Sequence, residues 1–141
     1  MATASKKFLQ SEATRHELMD AARDLFTERG YADTPLEEVV QRAGVTRGAL
    51  YHHFKDKEDL FRAVHEQVAQ GVNDRVTKAI GRASNPWEAL LFGCRAFLDS
   101  CLDPSVQRIM LVDTGAVLGH KHMHEEQEKY DLVLIRTGLE H

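Results

Sequence analysis

The chain has 141 residues, 43% of them hydrophobic, and a formal net charge of −4. This length allows one domain, or a small domain joined to part of a second, and the composition excludes a disordered or low-complexity polypeptide. No run approaches the roughly 20 apolar residues of a membrane span, and the first ten residues lack the apolar segment of a secretory signal. Two cysteines without a disulfide framework fit a reducing compartment, so we expect a cytoplasmic protein without a membrane partner.

The first predicted helix runs from about Thr14 to Arg29. Thr14 and Glu17 have the spacing of a capping box, in which two side chains satisfy free backbone N–H groups at a helix start. Residues 1–13 precede this helix and are predicted to form a flexible arm. The apolar side chains that would pack the helix recur at helical spacing: Leu18, Ala21, Ala22, Leu25 and Phe26.

Two short helices joined by a tight turn are predicted next. Thr34 and Glu37 form a second capping-box pattern, with Pro35 at the expected first helical position. Gly44 follows the apolar face of this helix, where a left-handed residue ends a helix with least strain. Thr46 is placed to cap the following helix. This layout is that of a helix-turn-helix, whose second helix enters the DNA major groove.

The second helix of this pair carries groups suited to nucleic acid. Leu50 and Phe54 lie four residues apart and are predicted to point inward, which turns Arg47 and Tyr51 outward. An arginine can donate two hydrogen bonds to a guanine edge or bind a phosphate. Gly48 costs about 1 kcal/mol relative to alanine in a helix, and a close approach of the backbone to another surface would explain it. A solvated helical hairpin would also expose these groups, but it does not account for the caps, turn and aromatic residues together.

The charge distribution supports this interpretation only locally. A net charge of −4 is not the strongly basic balance expected of a nucleic-acid-binding protein. Between Arg42 and Lys57, however, four Lys or Arg residues stand against one Asp, together with two histidines.

From Asp56 a long helix is predicted, with apolar residues at every fourth position: Leu60, Val64, Val68, Val72, Val76 and Ile80. We interpret it as the link between the first domain and a second one. Ser84-Asn85-Pro86 begins a further helix, which ends at Asp103-Pro104. The remaining predicted elements are a short helix over 105–112, a turn at 113–115 and a helix over 119–138.

Residues 14–65 resemble the N-terminal DNA-binding domain of the TetR family of transcriptional regulators. The resemblance lies in an ordered series of short matches: Ala21-Ala22, Leu25-Phe26, Gly30-Tyr31, Thr34, Ala43-Gly44-Val45, residues 48–54 and residues 57–60. It implies an all-α protein with a three-helix DNA-binding head, residues 14–56, joined by a long helix to a helical ligand-binding and dimerisation domain, residues 57–141. It also implies a homodimer that binds a palindromic operator in double-stranded DNA and releases it when a small effector binds, as a repressor does.

The resemblance also assigns roles to single residues. Thr34 and Lys55 would contact phosphates and Tyr51 the DNA backbone. The residues expected in the groove are Thr46, Arg47, Gly48 and His52. We expect a small, largely apolar effector, and the candidate lining residues of its pocket are Phe97, Met110, Leu118, Met123 and Tyr130.

The end of the chain departs from the family pattern. Family members usually continue into two more helices that pair with a second subunit, so this chain is expected to be truncated or to dimerise through another surface. Leu139-Glu140-His141 also resembles the start of a vector-derived polyhistidine tail.

Three other functions were compared with DNA binding. His120 and His124 share a helix face at the spacing of a metal site, with His122 between them, so a metal-responsive regulator is an alternative. Solvated histidines are the preferred interpretation, and we assign no metal or cofactor. A helical protein-interaction module without operator binding is a further alternative. An enzyme is not expected, because the sequence has neither a glycine-rich phosphate loop nor a nucleophile elbow.

Overall fold

The computed structural model describes residues 2–119, and its regular elements are helices. They are α1 (Ala2–Arg29), α2 (Leu36–Ala43), α3 (Arg47–His53), α4 (Lys57–Ile80), α5 (Pro86–Ser100), a π-helix (Val106–Asp113) and α6 (Thr114–Val117). No strand occurs between residues 2 and 119, in agreement with the predicted all-α class. The chain divides into two packed units, Met1–Val64 and His65–His141, so the boundary between them falls inside α4.

The first helix begins much earlier than predicted. Helix α1 starts at Ala2, so the expected flexible arm of residues 1–13 is instead helical from residue 2. Thr14, predicted to cap the helix, lies in its interior and donates its hydroxyl to the carbonyl of Gln10 at 3.0 Å. Residues 2–13 contain no glycine or proline that would end a helix, and an established helix extends at little cost.

The head is packed around one face of α1, as the apolar spacing predicted. Its buried side chains come from all four helices: Leu18, Ala22, Leu25 and Phe26 from α1, Val39 from α2, Leu50 from α3, and Leu60 and Phe61 from α4. Phe26 and Phe61 form an edge-to-face pair with ring centroids 5.4 Å apart. Tyr31 lies 5.7 Å from Phe26 and 5.2 Å from Phe61, with the Lys57 ammonium 4.4 Å above its ring. Such aromatic pairs contribute about 0.5–1.5 kcal/mol each beyond area burial, so this cluster joins the loop after α1 to α4.

The turn between α2 and α3 has the predicted glycine geometry. Gly44 adopts a left-handed conformation, with φ of 67° and ψ of 30°. Its N–H donates to Gln41, and the N–H of Val45 donates to Val40, both at 3.2 Å. This pair of bonds is the Schellman arrangement, which satisfies the last carbonyls of α2 and reverses the chain. The Thr46 hydroxyl accepts the N–H of Ala49 at 3.1 Å and caps α3, as predicted.

The predicted capping box at the start of α2 is wrong. Helix α2 begins at Leu36, Pro35 occupies the N-cap position, and no side chain caps the helix. Thr34 is fully buried, and its hydroxyl lies 2.7 Å from the carbonyl of Gly30 and 3.3 Å from that of Leu25. Thr34 therefore donates to a carbonyl in the last turns of α1 and to one just after the helix, and it does not accept an N–H group of α2.

Helix α4 begins and ends where the sequence predicts. The Asp56 carboxylate accepts the N–H of Asp59 at 2.8 Å, and the Asp59 carboxylate accepts the N–H of Lys55 at 3.0 Å. At the other end, Gly81 donates its N–H to Thr77 at 3.0 Å. The buried residues follow the predicted four-residue spacing: Leu60, Val64, Val68, Val72 and Val76.

Helix α5 packs closely against the end of α4 at a glycine. Asn85 caps α5 by accepting the N–H of Glu88 at 3.0 Å, and Pro86 is its first residue, so the helix begins within the predicted Ser84-Asn85-Pro86 segment. A Cβ atom at Gly93 would lie 3.2 Å from two side-chain carbons of Ile80. All six large apolar side chains of α5 are exposed: Trp87, Leu90, Leu91, Phe92, Phe97 and Leu98.

The segment after α5 differs from the prediction. The expected short helix is a π-helix, and the expected turn at 113–115 includes the start of α6 instead. Thr114 is buried and donates its hydroxyl to the carbonyl of Ile109, five residues earlier, which is the spacing of a π-helix. The predicted helix beyond residue 119 lies outside the described part of the chain. Within that part, no helix combines the length and apolar character needed to cross a bilayer.

Substitutions at Gly71 in α4 and at Gly93 in α5 should have opposite effects on the stability of the chain. Gly71 has no atom within 4 Å of its Cβ position, so Gly71→Ala should raise the free energy of unfolding by about 0.5–1 kcal/mol. Gly93→Leu should lower it by about 1–3 kcal/mol, because the side chain would overpack against Ile80. Urea unfolding followed by circular dichroism measures both values, and an equal sign at the two positions would contradict this packing.

Candidate nucleic-acid interface

Helix α3 presents one polar face to solvent. Leu50 and Phe54 are 0% and 3% exposed, and they fix which side of the helix faces inward. Six of the seven residues predicted to contact DNA are exposed on α3 or beside it: Thr46, Arg47, Gly48, Tyr51, His52 and Lys55. The structure therefore brings these six positions onto one end of the head.

Thr34 is the exception among the predicted contacts. Its residue surface is fully buried, and its hydroxyl is directed to the carbonyls of Gly30 and Leu25. A buried side chain with this hydrogen bonding has no surface to offer a phosphate. The predicted phosphate contact of the Thr34 side chain is therefore corrected. This residue instead joins the end of α1 to the start of α2.

Arg47 and Tyr51 form a stacked pair on the outward side of α3. The Arg47 guanidinium lies 5.7 Å from the centre of the Tyr51 ring and 3.6 Å from the Glu37 carboxylate. A hydrogen bond to Tyr51, and then the charge of Glu37, raises the pKa of Arg47, so its side chain stays charged. Arg47 and Glu37 are 68% and 62% exposed, and ion pairs of that exposure contribute only about 0–1 kcal/mol. The guanidinium can therefore exchange Glu37 for a base edge or a phosphate.

Gly48 is the second residue of α3, and the fold itself does not require a glycine there. Its Cβ position would meet only the Thr46 hydroxyl oxygen, at 4.0 Å, and its backbone is not in the left-handed region. An exposed glycine with open space around it leaves the start of α3 without a side chain. This surface would allow another molecule to approach the helix backbone closely.

The two histidines at the end of α3 differ in environment. His52 is exposed, whereas His53 is half-buried, and their rings lie 5.1 Å apart. Burial lowers the pKa of His53, and the nearby charges of His52 and Arg15 lower it further. His53 therefore belongs to the packed side of the head, and His52 alone of the pair faces solvent.

The start of α4 is filled by the chain's own acidic groups. Asp59 accepts the Lys55 N–H, and Asp56 accepts the Asp59 N–H, so carboxylates occupy the place where a phosphate would bind a helix start. The exposed Lys55 ammonium, rather than the helix end, is then the cationic group available at this position.

Other arginines of the head are tied to acidic residues instead. Arg42 donates to both oxygens of the Glu28 carboxylate at 3.0 and 3.4 Å, and this contact lowers the pKa of Glu28 and raises that of Arg42. Arg29 pairs with Glu38. Both contacts join α1 to α2, so these charges stabilise the packing of the two helices.

The predicted effector pocket is only partly within the described residues. Phe97 is exposed on α5, Met110 is half-buried in the π-helix, and Leu118 follows α6. Met123 and Tyr130 lie outside the described residues, as do His120, His122 and His124. Between residues 2 and 119, no three His, Cys, Asp or Glu side chains are grouped to hold a metal.

Sequence reasoning missed a groove between α4 and α5. Its volume is about 510 Å³, and it is lined by Arg75, Lys78, Ala79, Arg82, Phe92, Arg95, Ala96, Asp99 and Ser100. The residues of α5 follow helical i, i+3, i+4, i+7 spacing, and those of α4 and the turn after it do the same. The helical spacing of Arg75, Lys78 and Arg82 on α4 and the turn after it was the signal in the sequence that could have revealed the groove.

Two family models match the chain. The family described as bacterial regulatory proteins, tetR family, matches residues 18–64, and a tetracycline repressor-like C-terminal domain matches residues 87–141. The HTH-type transcriptional regulator TtgW of Pseudomonas putida is 33% identical over 101 residues, which cover 72% of each chain. The chain belongs to the TetR family of transcriptional regulators. Its predicted family membership is thereby confirmed.

Other proteins are also similar to the chain in sequence or structure. The regulator SrpR of Pseudomonas putida is 34% identical, with 98% of this chain and 65% of SrpR covered. A TetR-family regulator from Pectobacterium atrosepticum has a TM-score of 0.70 and 41% identity, covering 92% of this chain and 70% of that one. A gamma-butyrolactone receptor has a TM-score of 0.62 and 37% identity, covering 77% and 55%. The chain spans less than two thirds of the length of several curated relatives that it matches.

The environment of His53 predicts a pH dependence of stability. Its pKa in the folded chain is lowered below the unfolded value of about 6.5, so the unfolded chain binds the proton more readily. Stability should therefore be full above about pH 6.5 and fall as the pH drops toward the folded pKa. Melting temperatures between pH 7.5 and 5.5 should fall less for His53→Gln than for the native chain. The exposed His16→Gln control should keep the native pH dependence, and an unchanged slope in His53→Gln would refute the assignment.

Proposed function

We propose that this TetR-family chain binds duplex DNA through α3 as a dimer, represses transcription and releases its operator when a small effector binds. The observation that carries the proposal is the exposed Arg47–Tyr51 pair on a capped helix held by Leu50 and Phe54. A charged donor and an aromatic phenol on the outer side of such a helix fit the major groove and its phosphate walls. A non-enzymatic role in the cytoplasm is part of the same proposal.

Each exposed group has a chemical role in this interface. Arg47 would donate to a guanine edge, and Gly48 would let the helix approach the bases. Tyr51 and Lys55 would donate to phosphates, which position the protein without reading sequence. Thr46 offers a methyl group and a hydroxyl, although the hydroxyl also caps α3, and His52 lies at the edge of the surface. Thr34 is left out of the proposed contact set.

The small size of this surface supports the proposal that the chain binds DNA as a dimer. One helix-turn-helix neutralises few phosphates, and specific affinity normally requires two half-sites about 34 Å apart. Helix α4 runs unbroken from the capped start at Asp56 to its end at Ile80, through the boundary of the two units. We propose that effector binding to the second unit displaces α4 and so changes the separation of two recognition helices.

The effector itself is supported only at the level of its class. One structural relative is named as a receptor for gamma-butyrolactone, which is a small molecule. The sequence predicts a largely apolar ligand in a pocket that includes Phe97, Met110 and Leu118.

The decisive experiment for this function is duplex selection followed by titration. A randomised duplex library should yield an enriched palindrome, and fluorescence anisotropy on that duplex should show affinity that falls steeply between about 50 and 200 mM salt. Arg47→Ala should weaken binding by about 10- to 100-fold, which corresponds to 1–3 kcal/mol for a base contact. Arg23→Ala is the matched control, since Arg23 is a partly exposed arginine of α1 whose only described ion pair is with Asp20 at 3.8 Å. No enrichment at low salt, or equal affinity of the two variants, would overturn the proposal.

Gly48 separates DNA contact from folding. Gly48→Ala should stabilise the free chain by up to about 1 kcal/mol, because no atom obstructs the added Cβ and alanine favours a helix. The same substitution should weaken binding of the selected duplex at least about fivefold, because the methyl group would hold α3 away from the bases. Thermal unfolding and anisotropy on one preparation measure both quantities. Unchanged duplex affinity would remove Gly48 from the interface.

An interaction module is the second candidate, and the exposed apolar residues of α5 and of the turn after it favour it. Trp87, Leu98 and Leu102 are 67%, 64% and 75% exposed. Apolar surface of this kind is typical of sites covered by another protein segment. In that case the selected library would show no enriched duplex, even at about 50 mM salt.

A further inference from the structure

The groove between α4 and α5 concentrates positive charge in a chain that is negative overall. Four of its nine lining residues are Lys or Arg and one is Asp, so the groove carries a net charge of +3. The whole chain carries −4. The charge of the groove is therefore a local feature of these two helices and not a consequence of composition.

Most of this charge is not neutralised by side chains of residues 2–119. Arg75 lies 3.7 Å from Asp103, whose pKa is lowered by hydrogen bonds from Ser105 and by this arginine. Lys78, Arg82 and Arg95 form no ion pair with another residue of the described range 2–119. Three cations that share a concave surface repel one another, and a bound anion would relieve that repulsion.

The remaining lining of the groove is apolar or small. Phe92, Ala79 and Ala96 form part of its wall, and Ser100 is a buried residue whose hydroxyl donates to the carbonyl of Ala96 at 2.8 Å. The close approach of α5 to Ile80 at Gly93 holds the two helices together beside the groove. A volume of about 510 Å³ lies within the 300–1,000 Å³ range of small-molecule sites.

We propose that this groove binds a small amphiphilic anion, with a carboxylate or phosphate head beside Arg82, Arg95 and Lys78 and an apolar body against Phe92. We further assign this class of molecule as the effector, a step that rests on the proposed function, whereas the binding site does not. Arginine suits such a head group, because its planar guanidinium donates paired hydrogen bonds to carboxylate and phosphate oxygens. The class differs from the apolar effector predicted from the sequence.

Direct titration without DNA tests the binding site. The probes are decanoate, decyl phosphate, 1-decanol and inorganic phosphate, each titrated into the full chain by calorimetry. Both amphiphilic anions should bind at one site, with dissociation constants at least about tenfold lower than those of decanol and inorganic phosphate. Equal binding of decanoate and decanol would overturn the proposal, and so would the absence of decanoate binding. Binding of inorganic phosphate as tight as that of decanoate would replace it with a simple anion site.

Variants locate the binding and control for folding. Arg82→Gln with Arg95→Gln should remove the preference for decanoate, whereas Arg82→Lys with Arg95→Lys should retain most of it. Arg23→Gln is the control for loss of a partly exposed arginine elsewhere. Helical content by circular dichroism should be the same in all of them, because Arg82 and Arg95 are exposed and Arg23 is partly exposed. Retention of the preference in the double glutamine variant would place the site elsewhere and refute the proposal.

The effector role needs the duplex assay as well. Decanoate should lower the affinity of the native chain for its selected duplex and leave the double glutamine variant unchanged. Decanoate binding without any duplex binding would overturn the proposed function and leave the site intact. Duplex binding without decanoate binding would overturn the proposed site and leave the proposed function intact. If the chain binds both but decanoate does not change its affinity for the duplex, the effector assignment alone would be overturned.

Discussion

The burial of Leu50 and Phe54 is the constraint on which the surface of α3 depends. A helix of seven residues is too short to be stable by itself, so its position is set by packing. The two anchors are one helical turn apart and nearly fully buried, which fixes the rotation of α3 about its axis. The Gly44 turn and the Thr46 cap set where the helix starts. Everything that Arg47, Gly48 and Tyr51 can contact follows from that rotation.

Electrostatics divides the arginines of the head into two groups. Arg29 and Arg42 pair with acidic residues across α1 and α2, where they stabilise the arrangement of these helices. Arg47 has a longer, well-exposed ion pair with Glu37 and a contact with the Tyr51 side chain. Exposed ion pairs are weak and are screened by salt. Arg47 is therefore the arginine of the three that can most readily exchange its acidic partner for a ligand. An acidic chain can thus present a cationic surface at one end of its head.

The second unit uses different sides of α5 for different chemistry. Residues 92, 95, 96 and 99 line the cationic groove, whereas exposed apolar residues such as Trp87, Leu90 and Leu98 lie at other positions of the helical repeat. An α-helix separates such sets by its 3.6-residue period, so one element can carry a charged concave wall and an apolar surface. Gly93 lets α5 pack closely against Ile80 at the end of α4.

Local sequence determined the all-α class, the Gly44 turn, the caps at Thr46, Asp56 and Asn85, and the buried face of α4, because each depends on backbone chemistry within a few residues. Only the tertiary structure decided the role of Thr34, since the carbonyls that its hydroxyl satisfies belong to α1 and the loop after it. It also decided that cations from α4, α5 and the turn between them meet in one groove. These features depend on contacts between separate elements of the chain, which a local pattern does not report.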